Sequence, residues 1–288
     1  MSTDLVLQAE SLTRAEAQSI AALAGASRLS AIAAGHAAWR LHDVNPALRQ
    51  AVAAACAARH CDYAFVPAKR SWRDIGLIAM DMDSTLITIE CIDEIADFVG
   101  RKAEVADVTE RAMRGEIDWP QSLTQRVALL RGLEESALAA VYDQRLTLTP
   151  GAEALVAFAK RHGIQLLLVS GGFTYFTDRL KARLALDHAF SNVLEIEGGR
   201  LTGRVTGALC DAAAKARHLI ETRDAAGLAV HQTLAIGDGA NDLPMMAAAG
   251  FSIGFHAKPK VQDEASAAIN HGGLERVIAL FQAGDATW

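Results

Sequence analysis

Residues 77–86 read LIAMDMDSTL, an apolar run that breaks into Asp81, Asp83, Ser84 and Thr85. Four apolar residues followed at once by acids and hydroxyls predict a buried strand whose carboxyl end opens into a polar turn. Open α/β sheets bind their ligands at that edge, so an Asp-x-Asp there sets two carboxylates where chemistry is done. Taken alone, the stretch is equally a strand followed by a helix-capping turn with no further task.

Three later stretches shift that balance. Residues 164–169 (IQLLLV) are a second apolar run, ending in Ser170-Gly171-Gly172 before a helical pattern. A small hydroxyl and two glycines at a strand end let backbone N–H groups approach an anion closely. Residues 212–222 predict a helix with Lys215 in its first turn, although a lysine on a helix is ordinarily a solvated surface charge. Residues 233–236 (TLAI) then end in Gly237-Asp238-Gly239-Ala240-Asn241-Asp242. Two acids and an asparagine between glycines at a strand end are costly to place without a cation nearby.

Working outward, the chain after the first motif carries helical patterns at 90–100, 102–115, 119–131 and 134–145. Four helices in succession behind one strand predict a small bundle, a cap inserted at about 88–148 over the site. Residues 193–205 read as a hairpin turning at Gly198-Gly199. Upstream, residues 1–72 predict strands at 4–9, 29–34, 37–41 and 63–66 and helices at 13–24 and 46–60, the order βαββαβ. Residues 67–74, with Lys69, Arg70 and Arg73, predict a linker with a solvated basic surface before a body at 73–288.

The 288 residues are 51% hydrophobic and 22% charged with a net charge of −6, ordinary for a globular protein with a sizeable core. No basic excess points to nucleic acid or an acidic membrane surface. No leader pattern stands at the start and no apolar run is long enough to span a bilayer. Cys56, Cys61, Cys91 and Cys210 lack paired-ligand spacing, which suits reduced thiols and a cytoplasmic location.

The joint pattern of DMDST, SGG, a helix-borne lysine and GDGAND resembles the haloacid dehalogenase superfamily of phosphotransferases, over about residues 75–275. The helical insert, with Glu90 and Arg126, is similar to the branch of that superfamily that acts on phosphoserine. The resemblance implies a Rossmann-like α/β core with a parallel sheet and a phosphatase that uses Mg²⁺. Asp81 is then the nucleophile, Asp83 the general acid and base, and Lys215 and Ser170 the partners of the phosphoryl oxygens. Asp81, the Asp83 carbonyl and Asp238 would hold the metal, with Asp242 behind them. Gly171, Gly172 and Asn241 would meet the phosphate, Glu90 the substrate ammonium and Arg126 its carboxylate. Met113 and Trp119 would supply apolar walls, Trp119 standing where the family more often has Phe.

Phosphohomoserine or phosphothreonine would use the same catalytic set, and an amino-acid-sensing protein with a decayed site is the reading of another class. The complete acid and lysine set argues against decay. The βαββαβ unit resembles the ACT-type regulatory domain, which implies a regulatory or dimerising role and leaves open an amino-acid effector and a homodimer.

Overall fold

The computed structural model describes residues 2–282. The first unit runs β1 (Thr3–Ala9), α1 (Arg14–Ala24), β2 (Arg28–Ala31), β3 (Ala37–His42), α2 (Arg49–Ala57) and β4 (Asp62–Pro67), the order expected from the sequence. Its boundaries follow local chemistry. Thr13 and Glu16 cap α1 reciprocally, and Gly25 ends it at φ 68°, a left-handed position that glycine takes without strain. The helix expected over 46–60 is shorter, a 3₁₀ turn at Pro46–Leu48 followed by α2.

The body begins with β5 (Leu77–Met80) and continues through four helices, α3 (Cys91–Phe98), α4 (Lys102–Met113), α5 (Trp119–Ala128) and α6 (Ser136–Gln144). These four helices lie between β5 and the strands that follow, and a bridge between Ile87 and Leu148 joins the two ends of the segment. The chain returns as α7 (Ala152–Arg161), β6 (Gln165–Phe173), α8 (Thr174–Leu184), β7 (His188–Glu197) and β8 (Arg200–Thr206). It closes with α9 (Ala212–Ala225), β9 (Thr233–Gly237), α10 (Leu243–Ala248), β10 (Phe251–Phe255), α11 (Pro259–Glu264) and β11 (Ala267–Ile269).

The eleven strands of the described residues form one sheet in the order β2-β3-β1-β4-β11-β10-β9-β5-β6-β7-β8. From β11 to β7 the pairs are parallel, and β7–β8 is an antiparallel hairpin. β5 lies in the middle with β6 on one side and β9 on the other. Successive strands are therefore laid down to one side of β5 and then to the other, and the crevice at its carboxyl end is the topological switch point where such sheets take ligands. Leu77, Ile78, Ala79 and Met80 are all fully buried, because helices cover both faces of a parallel sheet.

Within the segment expected as a solvated linker, Trp72 and Arg70 are instead packed against the body. Trp72 is 1% exposed, packs edge-on against Phe158 and Phe281 and donates from Nε1 to Ile278 O at 2.8 Å. Arg70 donates to Gly250 O at 3.0 Å and to His231 O and lies over the rings of Phe251 and Phe281. Lys69 and Arg73 are exposed as expected. The physical reason is that β4 joins the body sheet at Ala64–Ala267, so the chain leaving it has no room to swing free. Asp62 reinforces the seam by accepting from Asn270 N and His271 N. The four cysteines are free and buried, and no helix among the described residues is long and apolar enough to cross a membrane.

Candidate active site

Asp81 follows β5 directly and is 5% exposed. Its Oδ1 accepts from Met82 N at 2.7 Å and its Oδ2 lies 2.7 Å from Lys215 Nζ. Lys215 is not the surface lysine that its residue type predicts, being 1% exposed. Asp211 caps α9 by accepting from Ala214 N, which sets Lys215 one turn in and pointing under the sheet edge. There Nζ also donates to Asp242 Oδ1 at 2.7 Å. Burial pushes the Lys215 ammonium down, but the charges of Asp242 and Asp81 outweigh it and leave the pKa above that of an ordinary lysine. Asp81 is pushed the other way, well above the usual carboxylate range, by burial and then by the charge of Asp242.

Asp83 Oδ1 accepts from Cys91 N at 3.1 Å. Burial, with the neighbouring charge of Glu90, raises its pKa to about 7. Asp238 is raised to about 6 by burial and then by Asp242, and accepts from Thr85 Oγ1 at 3.3 Å. Asp242 is fully buried, and its Oδ2 accepts from Gly239 N at 3.1 Å. A Cβ at Gly237 would stand 2.4 Å from the Asp242 carboxyl carbon, so this strand end requires glycine there.

Carboxylate oxygens of Asp81, Asp238 and Asp242 gather within 4.8 Å of one another. Among the described residues Lys215 pairs directly with two of the three, and burial with the neighbouring charge of Asp242 keeps the Asp238 pKa raised. Hard oxygen donors with an unbalanced negative charge fit a small divalent cation.

Ser170 is fully buried, and its Oγ accepts from Gly172 N at 2.8 Å. A Cβ at Gly172 would come within 2.9 Å of Asp83 Oδ2; the second glycine is what lets the β6 end approach the first motif. Asn192, 1% exposed, holds this turn by donating to Gly171 O at 2.8 Å and accepting from Cys210 N at 2.8 Å. Nothing in the sequence marked Asn192, because its two partners lie 21 and 18 positions away.

Above these groups is a cavity of about 520 Å³ lined by Asp81, Asp83, Glu90, Met113, Trp119, Arg126, Gly171, Gly172, Asp238 and Asn241. Ser170, Lys215 and Asp242 are buried behind its floor. Asp93 and Lys258 also line it and were not singled out from the sequence, since one lies among helical acids and the other in an exposed loop. Arg126 is mostly buried, and among the described residues its one hydrogen bond is from Nε to Ser122 O at 3.4 Å. Burial holds its pKa below that of a free arginine, opposed by Asp93 and then Glu90. Both terminal nitrogens of its fork are thus left to the cavity. Trp119 reaches down from the cap, its ring 3.0 Å from where a Gly171 Cβ would be. Met113 is 70% exposed, so it forms a lip of the cavity where a wall was expected; α4 ends at that residue and leaves it little to pack against.

Residues 78–247 match the model of the haloacid dehalogenase-like hydrolases, and residues 5–52 match one described as a domain of unknown function. A phosphoserine phosphatase of Albidiferax ferrireducens is 56% identical over 214 residues, 73% of this chain and 90% of that protein. A HAD family hydrolase from Salmonella enterica serovar Typhi superposes with a TM-score of 0.89 at 31% identity, covering 98% of this chain and 99% of the other. A phospho-aspartyl intermediate analogue of phosphoserine phosphatase gives a TM-score of 0.68 at 38% identity, over 72% of this chain and 99% of that one. The motif-bearing strand ends, the capped cavity and these likenesses agree that the chain is an enzyme and belongs to the haloacid dehalogenase-like hydrolases.

Proposed function

We propose that the chain hydrolyses O-phospho-L-serine to L-serine and phosphate through a phosphoryl group carried on Asp81. The observation that carries this reading is one cavity with the Asp81–Lys215–Asp242 cluster at its foot and Glu90 and Arg126 in its cap. The foot suits a phosphoryl group. The cap offers an anion and a cation fork to a small zwitterion. The names of the relative from Albidiferax ferrireducens and of the phospho-aspartyl analogue structure agree with it.

In this reading the Asp81 carboxylate, steadied by Met82 N–H and Lys215, attacks phosphorus while the bond to the seryl oxygen breaks. Asp83 gives that oxygen its proton; a pKa near neutrality suits a group that must then take a proton from the incoming water. Water attacks the phosphoryl group, phosphate leaves and the Asp81 carboxylate is restored. Lys215, Ser170 and the Gly171 N–H meet the negative charge on the phosphoryl oxygens. Asn241 orients the phosphate. Mg²⁺, held by Asp81, Asp238 and the Asp83 carbonyl with Asp242 behind them, would supply further neutralisation of those oxygens.

Glu90 and Arg126 would take the ammonium and the carboxylate. We read the reaction as the last step of serine formation from a phosphorylated precursor, and the free, buried cysteines suit a cytoplasmic setting. Residues 1–72 are read as an ACT-like regulatory or dimerising unit, on the strength of their βαββαβ order and the β2-β3-β1-β4 arrangement.

Phosphate release from phosphoserine, phosphothreonine and phosphohomoserine, with and without Mg²⁺, tests the proposal. Mg²⁺-dependent release fastest from phosphoserine is expected. A preference for either of the others would overturn the substrate, and equal rates without Mg²⁺ would overturn the metal.

A further inference from the structure

The turn after β5 carries a bond that the chemistry at phosphorus does not require. Ser84 sits at φ 55° and ψ 5°, the left-handed region that glycine enters freely and serine does not. From there its Oγ donates to Glu90 Oε1 at 2.7 Å. Among the described residues this is the only hydrogen bond of the Glu90 carboxylate; Glu90 precedes α3 but its side chain caps nothing. The same segment is closed twice more, by Ser84 N–H donating to Ile89 O at 3.3 Å and by Cys91 N–H donating to Asp83 Oδ1 at 3.1 Å. Asp83 and Glu90 both line the cavity. A glutamate left to itself has three rotatable bonds to order when a ligand arrives. Backbone strain that survives at a cavity edge is a pointer to function when it holds a side chain in place.

We propose that Ser84 is a positioning residue. Its hydroxyl holds the Glu90 carboxylate in the cavity with Oε2 left for the amine of the substrate, and the shared turn keeps that carboxylate in register with Asp83. The inference deepens the phosphoserine reading and rests on it. Ser84 would then matter for substrates that carry an amine next to the reacting group, and hardly at all for the transfer itself.

The test uses the full chain and three substrates: phosphoserine, 3-(phosphonooxy)propanoate, which keeps the carboxylate and lacks the amine, and p-nitrophenyl phosphate, which lacks both. S84G accepts the left-handed backbone and loses the hydroxyl, while S84A loses the hydroxyl alone. Both should lower kcat/KM for phosphoserine about tenfold, chiefly through KM, the expected loss for one charge-assisted hydrogen bond. The other two substrates should change by less than about twofold. In an E90Q background, S84G should add less than about twofold on phosphoserine, since its partner is already altered.

Equal losses on all three substrates, an unchanged phosphoserine KM, or a full additional loss in the E90Q background would each overturn the role given to Ser84. A wild-type chain that hydrolyses p-nitrophenyl phosphate and ignores phosphoserine would overturn the substrate reading and this inference together. A wild type active on phosphoserine with S84G unaffected would overturn this inference alone.

Discussion

Arg126→Ala tests the cap's part in substrate choice. The guanidinium is mostly buried in the cavity wall and, among the described residues, spends only Nε, on Ser122 O at 3.4 Å. Its two terminal nitrogens can therefore meet a carboxylate side by side, and each hydrogen bond to a charged partner is worth about 1.5–3 kcal/mol. Taking the lower figure for both gives about 3 kcal/mol, a loss in kcat/KM for phosphoserine on the order of 10²-fold or more. Turnover should fall along with affinity, because binding energy from the amino-acid end helps place the phosphate over Asp81. The assay is initial-rate phosphate release from phosphoserine beside p-nitrophenyl phosphate, which has no carboxylate and should change little. Equal losses on both substrates would mean that Arg126 supports the fold or the phosphate end, and would refute the reasoning.

Two further perturbations follow from the geometry. Asp83 and Asp238 have folded-state pKa values raised to about 7 and about 6, so the folded chain holds these protons more tightly than the unfolded one. The stabilisation is fully present below the ordinary carboxylate range near 4 and is lost as pH rises through 6 to 7. Without metal, the urea midpoint should fall across that window and Asp83→Asn should flatten the fall; an equal slope in the variant would contradict the assignment. Removal of the first unit should depend on where the cut is made. A chain starting at Ala68 keeps Arg70 and Trp72 and should stay folded and active with a lower Tm. One starting at Arg73 also forfeits the buried Trp72, by analogy with a Trp→Ala change costing about 3–5 kcal/mol. Equal melting of the two truncations would show that Trp72 does not anchor the segment.

Much of this molecule was legible because its signals are local. Apolar runs ending in DMDST, SGG and GDGAND marked three strand ends, and the 3.6-residue period of 90–145 marked the inserted helices. What escaped depends on contacts far apart in sequence. The stretch 67–74 reads as basic and polar, yet Arg70 lies over Phe251 and Phe281 and Trp72 reaches Ile278; periodicity carries no trace of such pairings. Lys215 reads as a surface lysine until Asp81 and Asp242 are brought to it from two other strand ends. The joining of β4 to β11 rests on the register pair Ala64–Ala267 and on Asp62 accepting from Asn270 N and His271 N, between segments with no special sequence mark. Ser84 was legible as a hydroxyl beside the acids, but its left-handed backbone was not, since nothing in a serine announces a positive φ.

The central claim is that Asp81 carries the phosphoryl group, and a rapid acid quench of the enzyme during turnover tests it most directly. The wild-type chain and Asp83→Asn are each mixed with Mg²⁺ and p-nitrophenyl phosphate, an activated substrate whose leaving group needs no proton from Asp83, then quenched, digested and mapped by mass spectrometry. Asp83→Asn removes the group that activates water, so one phosphoryl group should accumulate on Asp81 in that variant, with Asp81→Asn both unlabelled and inactive. A phosphoryl group on Ser84, Ser170 or any residue other than Asp81, or full turnover by Asp81→Asn, would contradict the account.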